Sequence, residues 1–335
     1  MRLPAFVFAL TLPVMLASQA HADLDRAIAN HVLPGTAGFA AAAGSLAATA
    51  QEDCRSDPEM QAAYDTAFDA WLGISHLRFG PLEVDGRVNA IAFWPDKKGF
   101  TPRMLSGLIA GEDPIVDTPE EFHELSVAAR GFFALDMLLF DDQFAGYDAE
   151  SYSCRLVQAI STDLARMGNE IDAEWQGEAA PLLLSAGEPG NTTYLSRDEA
   201  VRVLYTALLT GLEFDADQRL GRPLGTFERP RPERAEARRS GRSLRNVEVS
   251  LRALEQLARA LMAPEGMPVT EAAFADALSH VADLDDPVFA GVEDPSGRLK
   301  VEIVQQRIQL VRRAVEGEIG AHFGLTAGFN SADGD

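Results

Sequence analysis

The sequence predicts an all-α fold, and three observations carry that expectation. Apolar residues recur at three- and four-residue steps through most segments of the 335-residue chain. No run alternates apolar and polar side chains with the two-residue period of a strand. Proline, glycine and capping residues stand where those periodic segments begin and end. A loop rich in turn formers, Ser185 to Thr193 with Gly187-Glu188-Pro189-Gly190, divides the periodic segments into two helical-bundle halves, residues 23–185 and 194–335. No Gly-rich phosphate loop precedes a helix and no His-Glu-x-x-His signature occurs, which disfavours nucleotide and zincin chemistry.

Residues 1–22 join a basic start at Arg2 to a short apolar run and an Ala20-His21-Ala22 cleavage site, the composition of an export signal. The expected address is a bacterial periplasm. The apolar run is too short for a permanent helix across a bilayer, and no later stretch is expected to provide one, so no permanent membrane span is predicted. Cys54 and Cys154 are the only cysteines, and an isolated pair in an oxidising compartment points to a disulfide closing a loop of about 100 residues.

The elements follow in order. An opening helix covers Leu24 to Val32 and the Ala-rich run from Phe39 to Ala50, with an interruption expected at Pro34-Gly35. Tyr64, Phe68, Trp71 and Phe79 keep a helical step from about Pro58 to Phe79, placing His76 and Arg78 in the last turn. There they either complement the helix dipole or face an interior site. Thr118-Pro119-Glu120-Glu121 reads as the start of a long helix running to Phe140. On it Leu125, Ala129, Phe132, Asp136 and Leu139 share one stripe, so the Asp136 carboxylate points inward and requires a cation, a metal or several donors. Leu156, Ile160, Leu164, Met167 and Ile171 define the helix that follows. In the second half, Ser196-Arg197-Asp198-Glu199 is a capping box. Leu244 to Leu261 and Leu299 to Phe323 read as long amphipathic helices.

The net charge of −22 repels nucleic acid and anionic membranes, and no nucleic-acid partner is expected. Against that background eight arginines crowd between Arg222 and Arg245. They form either a strap that neutralises acidic helices, or a site in which Arg242 and Arg245 hold an anion.

Several segments carry a family likeness. Gly131-Phe132-Phe133-Ala134-Leu135-Asp136, His76-Leu77-Arg78-Phe79-Gly80-Pro81, Ile91-Ala92-Phe93-Trp94-Pro95-Asp96, Ser240-Gly241-Arg242-Ser243-Leu244-Arg245-Asn246 and Gly328-Phe329-Asn330-Ser331 together resemble the signatures of the imelysin family, in the family's order. The first segment falls on that family's Gly-x-His-x-x-Glu motif, with Phe133 in the place of its His and Asp136 in the place of its Glu. The resemblance implies two helical bundles around a shared cleft, with the motif helix close to where they meet. It also implies either a metal-dependent peptidase or a role in iron uptake at the bacterial envelope.

Phe133 cannot ligate a metal, so the expected function is a non-catalytic periplasmic protein linked to iron or other metal acquisition. Its ligand would be iron or another divalent metal, a small anionic chelate, or an envelope protein partner. The expected binding residues are His76, Arg78, Arg130, Asp136, Arg242 and Arg245, with Asp136 and His76, or Glu83, as the metal ligands. The alternatives are a metal-dependent peptidase of the imelysin type and a helical interaction protein in which Asp136 only pairs with an arginine.

Overall fold

The computed structural model describes residues 23–325, so the export signal and the closing Gly328-Phe329-Asn330-Ser331 segment lie outside the described residues. Helix α1 (Leu33–Glu52) continues from a π-helical turn, Ile28–Val32. Pro34 directly follows the π-helical turn and does not interrupt the helix, which runs unbroken over 23–52. Helix α2 (Pro58–Leu72) is capped by Asp57, whose side chain accepts from the Met60 amide at 2.8 Å. Then come α3 (Arg87–Ile91), α4 (Phe100–Gly111), α5 (Gly131–Phe140), α6 (Tyr152–Glu174) and α7 (Ala180–Leu184). After the loop, α8 (Arg197–Glu213) passes into another π-helical turn, Phe214–Leu220, and α9 (Gly221–Leu224). The chain ends with α10 (Ser243–Met262), α11 (Pro268–Ala282) and α12 (Pro295–Val315). Among the described residues the only strand-like pairing is an isolated bridge between Thr226 and Arg229.

Helix α1 lies against α2 and α6, while α12 packs on α11 and α8, and α10 touches α11, α8 and α2. The helix over 23–52 is long and apolar enough to cross a membrane, with a mean hydropathy of 1.2, contrary to the expectation that no such stretch follows the signal. Its apolarity comes from alanine and glycine in place of large side chains, and small residues permit close packing. A Cβ on Gly168 of α6 would sit 3.1 Å from the Ala40 Cα, so the two backbones nearly touch. The α6 face predicted from Leu156 to Ile171 is buried, as is the α12 seam of Val301, Val304, Ile308 and Val311.

Two helix boundaries differ from the sequence expectation. The segment from Thr118 to Arg130 is not the first half of a long helix but short 3-10 turns, Phe122–Glu124 and Val127–Ala129, and α5 begins only at Gly131. Arg130 is extended and Gly131 has φ +70°, a break that the apolar spacing does not reveal. Helix α5 is then buried all round from Gly131 to Leu139, not along one stripe. Phe132 stacks on Phe68 with ring centroids 4.5 Å apart, and Tyr64 meets it edge-on, which fixes α5 against α2. Likewise α2 stops at Leu72, and His76 and Arg78 lie in the turn beyond it.

Cys54 and Cys154 are joined as a disulfide, with Cα atoms 5.3 Å apart, tying the segment just after α1 to the first turn of α6. Gly131 is the tightest backbone approach in this region: a Cβ there would lie 2.2 Å from the Ile91 carbonyl oxygen and 2.3 Å from that of Ala90. Backbone atoms cannot yield as a flexible side chain can, and the positive φ adds strain. Gly131→Ala should therefore lower stability by roughly 3 kcal/mol or more. A melting curve checks this, and an unchanged midpoint would contradict the packing described.

Candidate functional site

The largest cleft, about 870 Å³, lies between the turn after α2 and the α8 segment with its π-helical extension. That volume falls in the range that takes a small-molecule ligand. The turn from Gly73 to Phe79 buries Ile74, Ser75, His76 and Leu77 in succession and opens Arg78 to the cleft. Gly211 lets this turn approach α8, because a Cβ there would lie 3.1 Å from the His76 Cβ and closer still to Leu254.

Two π-helical turns supply the polar residues beneath the cleft, and such turns widen a helix locally to redirect side chains. The first carries His31, whose Nε2 lies 2.9 Å from the His76 Nε2. Burial lowers the His31 pKa to about 4. It also holds His76 well below the ordinary imidazole value, with His31 and Arg219 adding to the effect. Both rings are neutral at pH 7, one donating through Nε2–H and the other accepting, and His76 Nδ1 has no hydrogen-bond partner.

The second π-helical turn carries Asp215 and Arg219, both buried. Arg219 donates from Nε to Glu236 at 2.7 Å and from Nη1 to Asp215 and to the Ser250 hydroxyl, the latter at 3.1 Å. Asn246 donates to the same Glu236 oxygen at 3.0 Å. Burial pulls the Arg219 pKa down, but Glu236 and Asp215 outweigh it and hold the guanidinium charged.

Arg78 is one of two exposed cations of this site, with Arg202. Its guanidinium lies over the Phe214 ring at 4.6 Å and reaches the Ser75 carbonyl at 3.4 Å. Surrounding protein lowers its pKa, helped by Arg219 and opposed by Glu236. Among the described residues, neither Arg78 nor Arg202, which also lines the cleft, forms an ion pair. Exposed Glu83, Glu199 and Asp217 and part-buried Glu213 line the same space.

The other expected site residues do not meet there. Asp136, 1% exposed, accepts from the Ser240 hydroxyl at 2.6 Å and the Ser240 amide at 3.1 Å, while Arg239 stands 4.0 Å away. Burial raises its pKa against the pull of Ser240 and Arg239. It borders a separate pocket, not the cleft that His76 lines. Among the described residues no three His, Cys, Asp or Glu side chains are placed to hold a metal ion, so Asp136 and His76 are not joined as ligands.

Arg130 pairs with buried Asp163 at 2.8 Å and donates to the His123 carbonyl, away from both cavities. Arg242 binds Asp65 at 2.8 Å and Asp69, and exposed Arg245 binds Asp69. These two arginines neutralise α2, as the strap alternative expects, and leave no free guanidinium for an anion.

Sequence reasoning missed His31, Asp215, Arg219, Glu236 and Ser250. One local signal was present, the i,i+4 spacing of Asp215 and Arg219 on a helix.

The described residues form an all-α architecture with an open cleft above buried charge pairs. The chain belongs to the imelysin family: the Imelysin family description, which classes its members among peptidases, matches residues 26–314. An imelysin-like protein from Psychrobacter arcticum 273-4 shares the fold with a TM-score of 0.78 at 19% identity, covering 96% of this chain and 100% of that one. A candidate iron-regulated protein A precursor from Parabacteroides distasonis ATCC 8503 is similar with a TM-score of 0.70 at 11% identity, covering 89% of this chain and 95% of that one. No curated protein matches the chain significantly.

The neutral histidine pair makes stability depend on pH. Unfolded, each imidazole takes a proton near its ordinary value of 6.5; folded, His31 does so only at about 4. The unfolded chain thus binds more protons between those values, and stability present above pH 6.5 is lost as pH falls toward 4. His31→Gln should flatten this fall in melting temperature relative to the parent protein. Equal slopes for the two proteins over that window would remove the pair from the account.

Proposed function

We propose that this imelysin-family protein is a non-catalytic periplasmic binding protein of the iron-acquisition type, holding a small anionic metal chelate in the large cleft. The observation that carries the reading is the Arg78 guanidinium, open to the cleft and without a carboxylate partner among the described residues of a chain with net charge −22. A guanidinium so placed favours a ligand carboxylate or comparable oxyanion. The acids along the cleft suit a ligand that also carries positive charge, and a metal held by carboxylates has both signs. The iron link draws further support from the Parabacteroides distasonis relative, described as iron-regulated. Export draws support from the apolar leader at residues 1–22. The peptidase alternative has fewer supports: Phe133 stands where a metal-binding His would be needed, and Asp136 is engaged by Ser240.

Calorimetric titration with ferric citrate and with iron-free citrate tests the proposal. Saturable binding of ferric citrate is expected, weakened roughly tenfold or more by Arg78→Ala, the cost of removing one charge-assisted contact. The melting temperature of that variant should stay close to the parent value, since Arg78 makes no ion pair. Flat titrations with both probes, or identical affinity in the variant, would overturn it.

A further inference from the structure

The arginine run that the cleft leaves unexplained builds a second cavity of about 190 Å³ against α5. Trp94 forms one wall, lying nearly parallel to Phe133 with centroids 6.4 Å apart and an angle of 18° between the rings. Over its ring, 5.7 Å from the centroid, lies the guanidinium of Arg222. Arg234, Arg238 and Arg239 complete the basic lining. Arg239 is committed to Asp141. Arg222, Arg234 and Arg238 form no ion pair among the described residues, and the buried Nε of Arg222 has no hydrogen-bond partner. Burial and then Arg234 lower the Arg222 pKa, so the two cations sense each other without an anion between them.

The acids that line this pocket are occupied. Asp96 accepts from the Thr101 amide at 2.8 Å and the Lys98 amide at 3.3 Å. Glu233 lies 3.6 Å from Arg231. Asp136 is sunk beneath Ser240. Arg222, with its buried Nε unpartnered, and the exposed guanidinium groups of Arg234 and Arg238 thus line a space whose carboxylates are held by other groups, Arg238 also sensing the charges of Asp136 and Asp141, and remote negative charge is screened beyond about 8 Å at physiological salt.

We propose that this pocket is a second binding site, separate from the large cleft, taking one phosphate-sized oxyanion on Arg222, Arg234 and Arg238. The forked guanidinium matches the oxygens of a phosphate group, and Trp94 holds Arg222 in place through its ring face. The volume, equal to roughly six waters at about 30 Å³ each, admits such an anion with part of its hydration. The anion is either free phosphate or the phosphate group of a small ester, and the two share this chemistry.

Titration of the full mature protein with inorganic phosphate and with glycerol 3-phosphate, at constant ionic strength set with chloride, separates these sources. Calorimetry and tryptophan fluorescence are the readouts, since Trp71 and Trp175 are fully buried while Trp94 faces the pocket. Saturable binding of either anion is expected, tighter for whichever is the natural source. Arg222→Gln and Arg238→Gln should each weaken it roughly tenfold, while Arg252→Gln, an exposed change on α10, should leave it unaltered. Arg238 is exposed, so its variant keeps the test valid even if Arg222→Gln disturbs folding. Absence of saturable binding at millimolar concentrations of both anions, or equal affinity in Arg238→Gln and the parent, would overturn the proposal.

Discussion

Buried charge must find a partner within the protein, and that constraint shapes how the segment from Arg222 to Arg245 lies on the helices before it. Taking a carboxylate or guanidinium out of water unpaired costs several kcal/mol. Asp136 is covered by Ser240, Arg242 is spent on Asp65 and Asp69, and Arg239 on Asp141. These contacts join residues more than 90 positions apart, across the space between α2, α5 and the start of α10. The polar clamp thus sets where the two groups of helices can sit, while the aromatic stack of Phe68, Phe132 and Tyr64 holds α5 in register beneath it.

The cleft is a consequence of the same arrangement. Once α10 is fixed, Ser250 and Asn246 meet Arg219 and Glu236, and the π-helical turn after α8 directs Arg219 inward. Gly211 leaves room for the His76 turn, and His31 closes the space from the opposite side. The outcome is a neutral imidazole pair next to a fully paired arginine, with the unpaired Arg78 facing outward. Fixed dipoles and charges below, and the unpaired Arg78 and Arg202 above, are the preorganised arrangement that the proposed binding requires, because little would have to reorganise when an anion arrives.

Much of the architecture was legible in the residues, and what was not has identifiable causes. The α6 and α12 faces follow from spacing alone, because periodic apolar residues have few ways to be buried. The inward position of Asp136 was also legible, since it shares an apolar stripe, but its partner was not. The hydrogen bonds come from a serine about a hundred residues later, and no local pattern announces Ser240. His76 and Asp136 were expected together from the family resemblance, which gives no distances; in the structure the two line different pockets. The long helix expected from Thr118 fails at Gly131, whose backbone conformation is set by the carbonyls of Ala90 and Ile91. His31 escaped notice because its only polar partner lies 45 positions away.

If the clamp organises the fold as described, the Asp136 carboxylate and the Ser240 hydroxyl must be energetically coupled. A double-mutant cycle with Asp136→Asn, Ser240→Ala and the combined variant, followed by denaturant unfolding, measures that coupling directly. The account predicts a coupling energy on the order of 1–3 kcal/mol, as for a buried charge-assisted hydrogen bond. Effects of the two changes that simply add, within about 0.5 kcal/mol, would contradict it.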